Sequence, residues 1–307
     1  YMFHMMNEAR IGVGMAATML GMAGYEASLE YAKNRPQGRP VAGGSQKVVK
    51  DAAQAQVRII EHADIKRMLL AQKSYSEGAL ALELYCAKLV DEQHTGEASA
   101  ADEARLLLEV LTPIAKSWPS EWCLEANSLA IQIHGGYGYT RDFPVEQYWR
   151  DNRLNMIHEG THGIQGMDLL GRKVLMEEGR GVHLLGARMR ETADKAMVYA
   201  DLAADAKALN TALQKVIAAT QMAWSSGQPQ EALANAVPYL QAFGHLVLAW
   251  IWLDVSASCR GAQTPAQTGR QAAAKYFFHY ELPKIAAWLH VVSNRDMTCA
   301  NLAEDAF

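Results

Sequence analysis

Apolar positions along this chain recur mostly every three or four residues, the spacing of one helical face. The stretch "IGVGMAATMLGMAGYEASLEYAKNR" carries Ile11, Met15, Met19, Met22 and Leu29 in that rhythm. It stops at "NRPQGRPVAGG", where prolines and glycines end a helix. A second long helical segment is predicted from about Ile65 to Val90, followed by the polar turn "DEQHTGEASA". A third runs from about Ala100 to Ile133, with interruptions expected near Pro113 and Pro119. Next come the glycine-rich loop "HGGYGYTRDF", a short segment opened by Pro144, and "IHEGTHGIQ". The helix "GIQGMDLLGRKVLMEE" follows, with Ile164, Met167, Leu170 and Val174 as its apolar stripe. "EGRGVH", Glu178 to His183, reads as a domain boundary. Beyond it, helical segments are predicted at about 184–223, 228–260, 265–280 and 282–305. No stretch alternates as a strand does. The pattern predicts an all-α chain of two helical bundles, residues 1–178 and 179–307.

Composition narrows this little. Half of the 307 residues are hydrophobic, which is enough for sizeable cores and excludes disorder. The net charge of -4 gives no electrostatic reason for a nucleic-acid partner. Cys86, Cys123, Cys259 and Cys299 form no C-x-x-C pair, so all four are expected to be buried small hydrophobes in a cytoplasmic, reducing compartment. The opening "YMFHMMNEAR" lacks the apolar run of a signal peptide. In "AFGHLVLAWIWLDVSA", His245 and Asp254 bound the apolar run, so a buried helix is expected there and no membrane span. The first residue is tyrosine, and a portion of a longer chain is expected. Arg150 and Asp151 read as a structural ion pair.

Two motifs carry competing chemistry. His158, Glu159 and His162 spell H-E-x-x-H, a zinc-peptidase pattern that needs both histidines on one unbroken helix. Gly160 inside the motif costs a helix ~1 kcal/mol relative to alanine. The apolar rhythm begins only after the motif, and Thr161 sits where an N-cap belongs. The stretch therefore reads as a junction, with two surface histidines and no metal. "GGYG", Gly135 to Gly138, follows a helical rather than a strand-like run, so it reads as a helix end and not as a Rossmann loop. Small residues there still let backbone N–H groups approach a phosphate.

Four stretches in order resemble the C-terminal domain of acyl-CoA dehydrogenases: "MNEARIGVGMAA", "YAKNRPQGR", "AIQIHGGYGYTRDFPVEQYWRD" and "IHEGTHGIQGMDLLGRKV". The remainder resembles the extra helical domain of a larger subgroup. The resemblance implies an FAD-dependent enzyme that oxidises an acyl-CoA thioester to the 2-enoyl-CoA and passes electrons to electron-transfer flavoprotein. It implies a homodimer or homotetramer, and a portion that is inactive without the family's N-terminal and middle domains. Glu159 matches the catalytic base of the family's Y-E-G-T motif, with His158 in place of the tyrosine. Gly160 follows it in the substrate site, and Thr161 matches an FAD contact. Arg35 and Gln37 match a segment that reaches the FAD pyrophosphate of a neighbouring subunit, and Gln132, Gly135 and Gly136 match a second such segment. Asn7 and Arg10 match positions near the CoA moiety. Ala9 occupies the place from which some relatives supply the base, and its neighbour Glu8 is expected to point elsewhere. Two other readings stand beside this one: a helical assembly module without catalysis, and a zinc hydrolase.

Overall fold

The computed structural model describes residues 2–39, 53–261 and 264–307, and its regular elements are all helical. The expected loop residues "PVAGG" and the pair Ala262 and Gln263 lie outside the described residues. Three long helices build the first half and pack on one another: α1 (Met2–Asn34), α2 (Ala63–Thr95) and α3 (Ala98–His134). An isolated bridge between Pro36 and Arg58 ties down the end of the α1–α2 connection.

The interruptions expected in α3 do not occur. Each internal proline removes one helical hydrogen bond and costs about 3 kcal/mol. Against this, every residue from 111 to 120 is buried. Leu111, Ile114 and Trp118 alone each contribute roughly 1.5–3 kcal/mol of apolar burial. Packing thus outweighs the local penalty. The approach to α1 is close: a Cβ on Gly21 would lie 2.7 Å from Cys123 Cβ, and one on Gly14 would overlap Ala115 O.

After α3 the chain turns through Gly135–Tyr139 into α4 (Val145–Arg153), with Pro144 ahead of it. On α4, Arg150 pairs with Glu146 one turn away, at 2.7 Å, and not with the adjacent Asp151, because neighbours in sequence point to different helical faces. A short α5 (His162–Asp168) continues into a π-helical turn, Leu169–Lys173. Its expected stripe is only half buried: Leu170 and Val174 are in the core, whereas Ile164 and Met167 are exposed. Glu177, Glu178 and Gly179 all take positive φ and redirect the chain into α6 (Arg180–Met197).

The predicted 184–223 segment is two helices, α6 and α7 (Ala203–Ala223), which pack as a hairpin. Arg260 bridges the break, pairing with Asp201 and covering Tyr199. Short α8 (Pro229–Leu233) precedes α9 (Ala236–Ser258), and α10 (Pro265–Tyr276) leads through the turn Phe277–Glu281 to α11 (Ile285–Ser293). Helix α9 is long and apolar enough to cross a membrane, yet 83% of its most apolar stretch is buried inside the protein. It packs on α5, α6, α7, α10 and α11 and also touches α2 and α3. Cys86, Cys123 and Cys259 are buried, but Cys299 is exposed, because the helix ends at Ser293 rather than continuing to 305.

Candidate active site

The junction between α4 and α5 is neither a continuous helix nor a loose loop. Ile157 N–H and His158 N–H both donate to Leu154 O, closing a turn. Glu159 and Gly160 then take φ of +53° and +95°. A non-glycine residue in this region costs about 1–3 kcal/mol. Thr161 returns to extended backbone and opens α5. The two histidines diverge. His158 is exposed, with Nε2 3.8 Å from Glu159 Oε1. His162 is partly buried: Nδ1 lies 3.0 Å from Ser117 Oγ, and Nε2 is 2.8 Å from Glu121 Oε2 without hydrogen-bond alignment. His162 is therefore no surface histidine. The turn at Glu159 breaks the helix that an H-E-x-x-H zinc site requires.

Buried side chains grip this turn through its carbonyls. Lys116 Nζ donates to Gly160 O at 2.6 Å and to Met156 O at 3.3 Å. Gln165 Nε2 donates to Glu159 O at 2.9 Å. A Cβ on Gly160 would come 2.8 Å from that amide nitrogen, so both φ and space call for glycine. Among the described residues the Glu159 N–H has no acceptor. The Glu159 side chain is 30% exposed, and Leu154, Ile157, Ile164 and Met167 are exposed nearby in sequence.

Arg10, on α1, faces inward to α5. It is buried, and Nη1 donates to Asp168 at 2.9 Å, leaving Nε without a partner. Asp168 also receives Arg172, and the buried Lys173 pairs with Glu109. Burial first, and then the Arg10 charge, push the Lys116 and Lys173 ammonium groups down to about 8. Glu159 acts on Lys116 in the opposite direction. Asn7 lines a separate cavity of about 340 Å³ with Ile11, His94, Arg105 and Glu109. Glu8 lines it too, away from the Glu159 junction.

The other expected site residues gather beyond the far end of α1, roughly 37 Å along the helix from Arg10. Arg35 N–H donates to Tyr31 O, and Ile59 N–H donates to Arg35 O. The Arg35 guanidinium lies 5.5 Å from the Tyr137 ring centre, and its buried Nε has no partner among the described residues. Gln37 is exposed, its backbone N–H donating to Val57 O and its carbonyl 2.8 Å from His62 Nε2. Beside them a cavity of about 500 Å³ is walled by Tyr31, Arg35, Pro36, His134 and Phe143. Tyr31 stacks on His134 at 4.3 Å. Burial favours the neutral His134 ring and pushes its pKa down, while a bond to Ala130 O acts in the opposite direction. Gln132 is exposed, and a Cβ on Gly135 or Gly136 would meet nothing, so this edge is open.

The structure thus separates the ten expected residues into a junction group, the Asn7 cavity and the Arg35 edge. Sequence reasoning missed Lys116, Gln165, Tyr31, Tyr137, His134 and Phe143. Lys116 left a signal, a lone lysine within an apolar run of α3, but nothing local tells where its ammonium goes.

Residues 43–175 match the family model "Acyl-CoA dehydrogenase, C-terminal domain", and residues 185–303 match "Acetyl-CoA dehydrogenase C-terminal like". The chain is 36% identical over 258 residues to 3-methylmercaptopropionyl-CoA dehydrogenase of Ruegeria pomeroyi, covering 81% of this chain and 42% of that protein. It is 28% identical to the broad-specificity linear acyl-CoA dehydrogenase FadE5 of Mycobacterium tuberculosis, covering 100% of this chain and 52% of that one. The chain spans about half the length of these relatives. Its fold is similar to that of a Bacillus anthracis acyl-CoA dehydrogenase complexed with FAD, with a TM-score of 0.72 at 18% identity, over 94% of this chain and 49% of that one. Helical fold, ordered motifs and both domain models agree: the chain belongs to the acyl-CoA dehydrogenase family, in the region of its C-terminal domains.

Proposed function

We propose that this chain forms the C-terminal helical portion of an FAD-dependent enzyme that dehydrogenates an acyl-CoA thioester to the 2-enoyl-CoA, with Glu159 as its general base. The observation that carries this reading is the braced left-handed turn at Glu159 and Gly160. It frees the carboxylate from helix packing and leaves the Glu159 N–H without an acceptor. A thioester carbonyl accepting that N–H would develop negative charge as the α-proton leaves, and the donor stabilises that charge. The carboxylate beside it takes the proton.

The far edge fits FAD. Arg35 keeps a buried Nε unpartnered, its planar guanidinium suits a pyrophosphate, and the aromatic cavity offers stacking surface. Gln37, Gln132, Gly135 and Gly136 border this edge, and Thr161 would hold cofactor at the junction. Bound FAD supplies the acceptor for the β-hydride. Because Arg35 and Glu159 belong to separate groups, each cofactor would draw on two subunits of a homodimer or homotetramer. Asn7 and the inward Arg10 are assigned to the CoA side, Arg10 through its electrostatic field. Residues 1–178 and 179–307 are read as two domains packed on a shared core, the protein as cytoplasmic, and electron-transfer flavoprotein as the acceptor. A 29%-identical relative of Acetobacterium woodii is named as a subunit of a caffeyl-CoA reductase–Etf complex, which supports that pairing.

The test uses the protein purified with its flavin, mixed anaerobically with a panel of acyl-CoAs. Wild type is expected to bleach with one of them. Glu159→Gln is expected to keep FAD and lose about 10²–10⁴-fold in the rate. Equal bleaching in both would overturn the assignment of the base.

A further inference from the structure

A glutamate does not favour the backbone conformation of Glu159, so groups outside the turn must hold it. Gln165 does this from the following helix. Lys116 does it from α3, 44 residues from Gly160 in the chain. It is fully buried, and its ammonium spans Met156 O and Gly160 O, which lie on either side of Glu159. Hydrogen bonds from a charged donor are stronger than neutral ones, enough to offset the strain of a left-handed residue other than glycine. We propose that Lys116 is a positioning residue for the reaction: it clamps the turn on both sides of Glu159 and so aims the base. This rests on the reading of Glu159 given above. The charged groups acting on Lys116 are Arg10, from α1, and Glu159 itself. With its ammonium pushed down only to about 8, Lys116 still carries its proton at neutral pH.

The experiment is a double-mutant cycle on the flavin-loaded protein. Lys116→Met keeps the apolar stem and removes the donors. Flavin reduction at saturating acyl-CoA is expected to slow by about 10–10²-fold, the scale of a small misplacement of a reacting group, with KM and flavin content little changed. In a Glu159→Gln background the same change should cost nothing further, because both act through one carboxylate. An equal loss in both backgrounds would mean general damage and overturn the proposal. So would a wild-type rate in Lys116→Met alongside a slow Glu159→Gln. A wild-type rate in Glu159→Gln itself would instead remove the base assignment. Hydrogen exchange across residues 154–165 of the flavin-free protein is the second readout. It should quicken in Lys116→Met, and unchanged exchange would contradict the clamp. Should Lys116→Met fail to fold, Lys116→Gln carries the same comparisons.

Discussion

Glu83 is the residue whose surroundings say most. It is fully buried on α2, and neither carboxyl oxygen has a partner. Pro119 has no N–H for the carbonyl four residues back, Ala115 O, and that oxygen lies with Glu83 Oε1 against the bare Cα of Gly14. Burial pushes the Glu83 carboxyl well above its usual range, so the folded protein prefers it neutral. A carboxyl raised on folding stabilises fully below its ordinary pKa, and that contribution is lost as pH rises towards the folded value. Glu83→Gln keeps the shape and removes the proton. Between about pH 5 and pH 8, wild type is expected to lose stability relative to Glu83→Gln as pH rises. Urea unfolding at the two pH values checks this, and a constant difference would contradict it. The sequence discloses only part of the turn at Glu159. Gly160 and Thr161 announce a bend in the sequence, but the left-handed glutamate depends on Lys116, which no local pattern connects to it.

Helix contacts explain both the agreements and the errors in the predicted elements. All three long helices appear because long periodicity is a strong signal, although α1 begins earlier than its expected stretch, at Met2, and α2 runs past Val90 to Thr95. Pro113 and Pro119 misled because a penalty read locally was set against burial that only the folded chain supplies. The glycines of α1 divide in the same way. A Cβ on Gly12 would meet nothing, whereas one on Gly21 would press on Cys123. Gly12→Ala is therefore expected to raise stability by about 0.5–1 kcal/mol. Gly21→Leu should lower it by about 1–3 kcal/mol through overpacking, even after the gain in helix propensity. Thermal unfolding of the two variants should show shifts of opposite sign.

At the scale of the molecule, the two predicted bundles share one core. Among the described residues, four indole N–H groups join the halves: Trp118 donates to His245 Nδ1 at 3.1 Å, Trp122 to Gln241 Oε1 at 2.9 Å, Trp224 to Leu170 O at 3.2 Å and Trp252 to Ser74 O at 3.1 Å. Leu169 and Leu170 belong to the same buried cluster as Tyr239 and Phe243. Close approach reinforces this, since a Cβ on Gly78 would lie 2.6 Å from Trp252 Nε1. Residues 1–178 and 179–307 are therefore expected to unfold together. Calorimetry should give one transition, and two resolved transitions would show that the halves are independent.

Short-range pattern was enough for the all-α class, the three long helices, the bend at "HEGTH" and the ordered motifs of the family. These follow from short-range spacing, turn chemistry and residue order, all of which are written along the chain. The tertiary structure alone decided that α3 runs through two prolines, that Arg10 turns inward to Asp168, and that the halves lock through tryptophans. It alone brought Lys116 to the carbonyls flanking Glu159. These outcomes depend on which surfaces meet and which charges are buried together, and such energies exist only once distant segments share one interior.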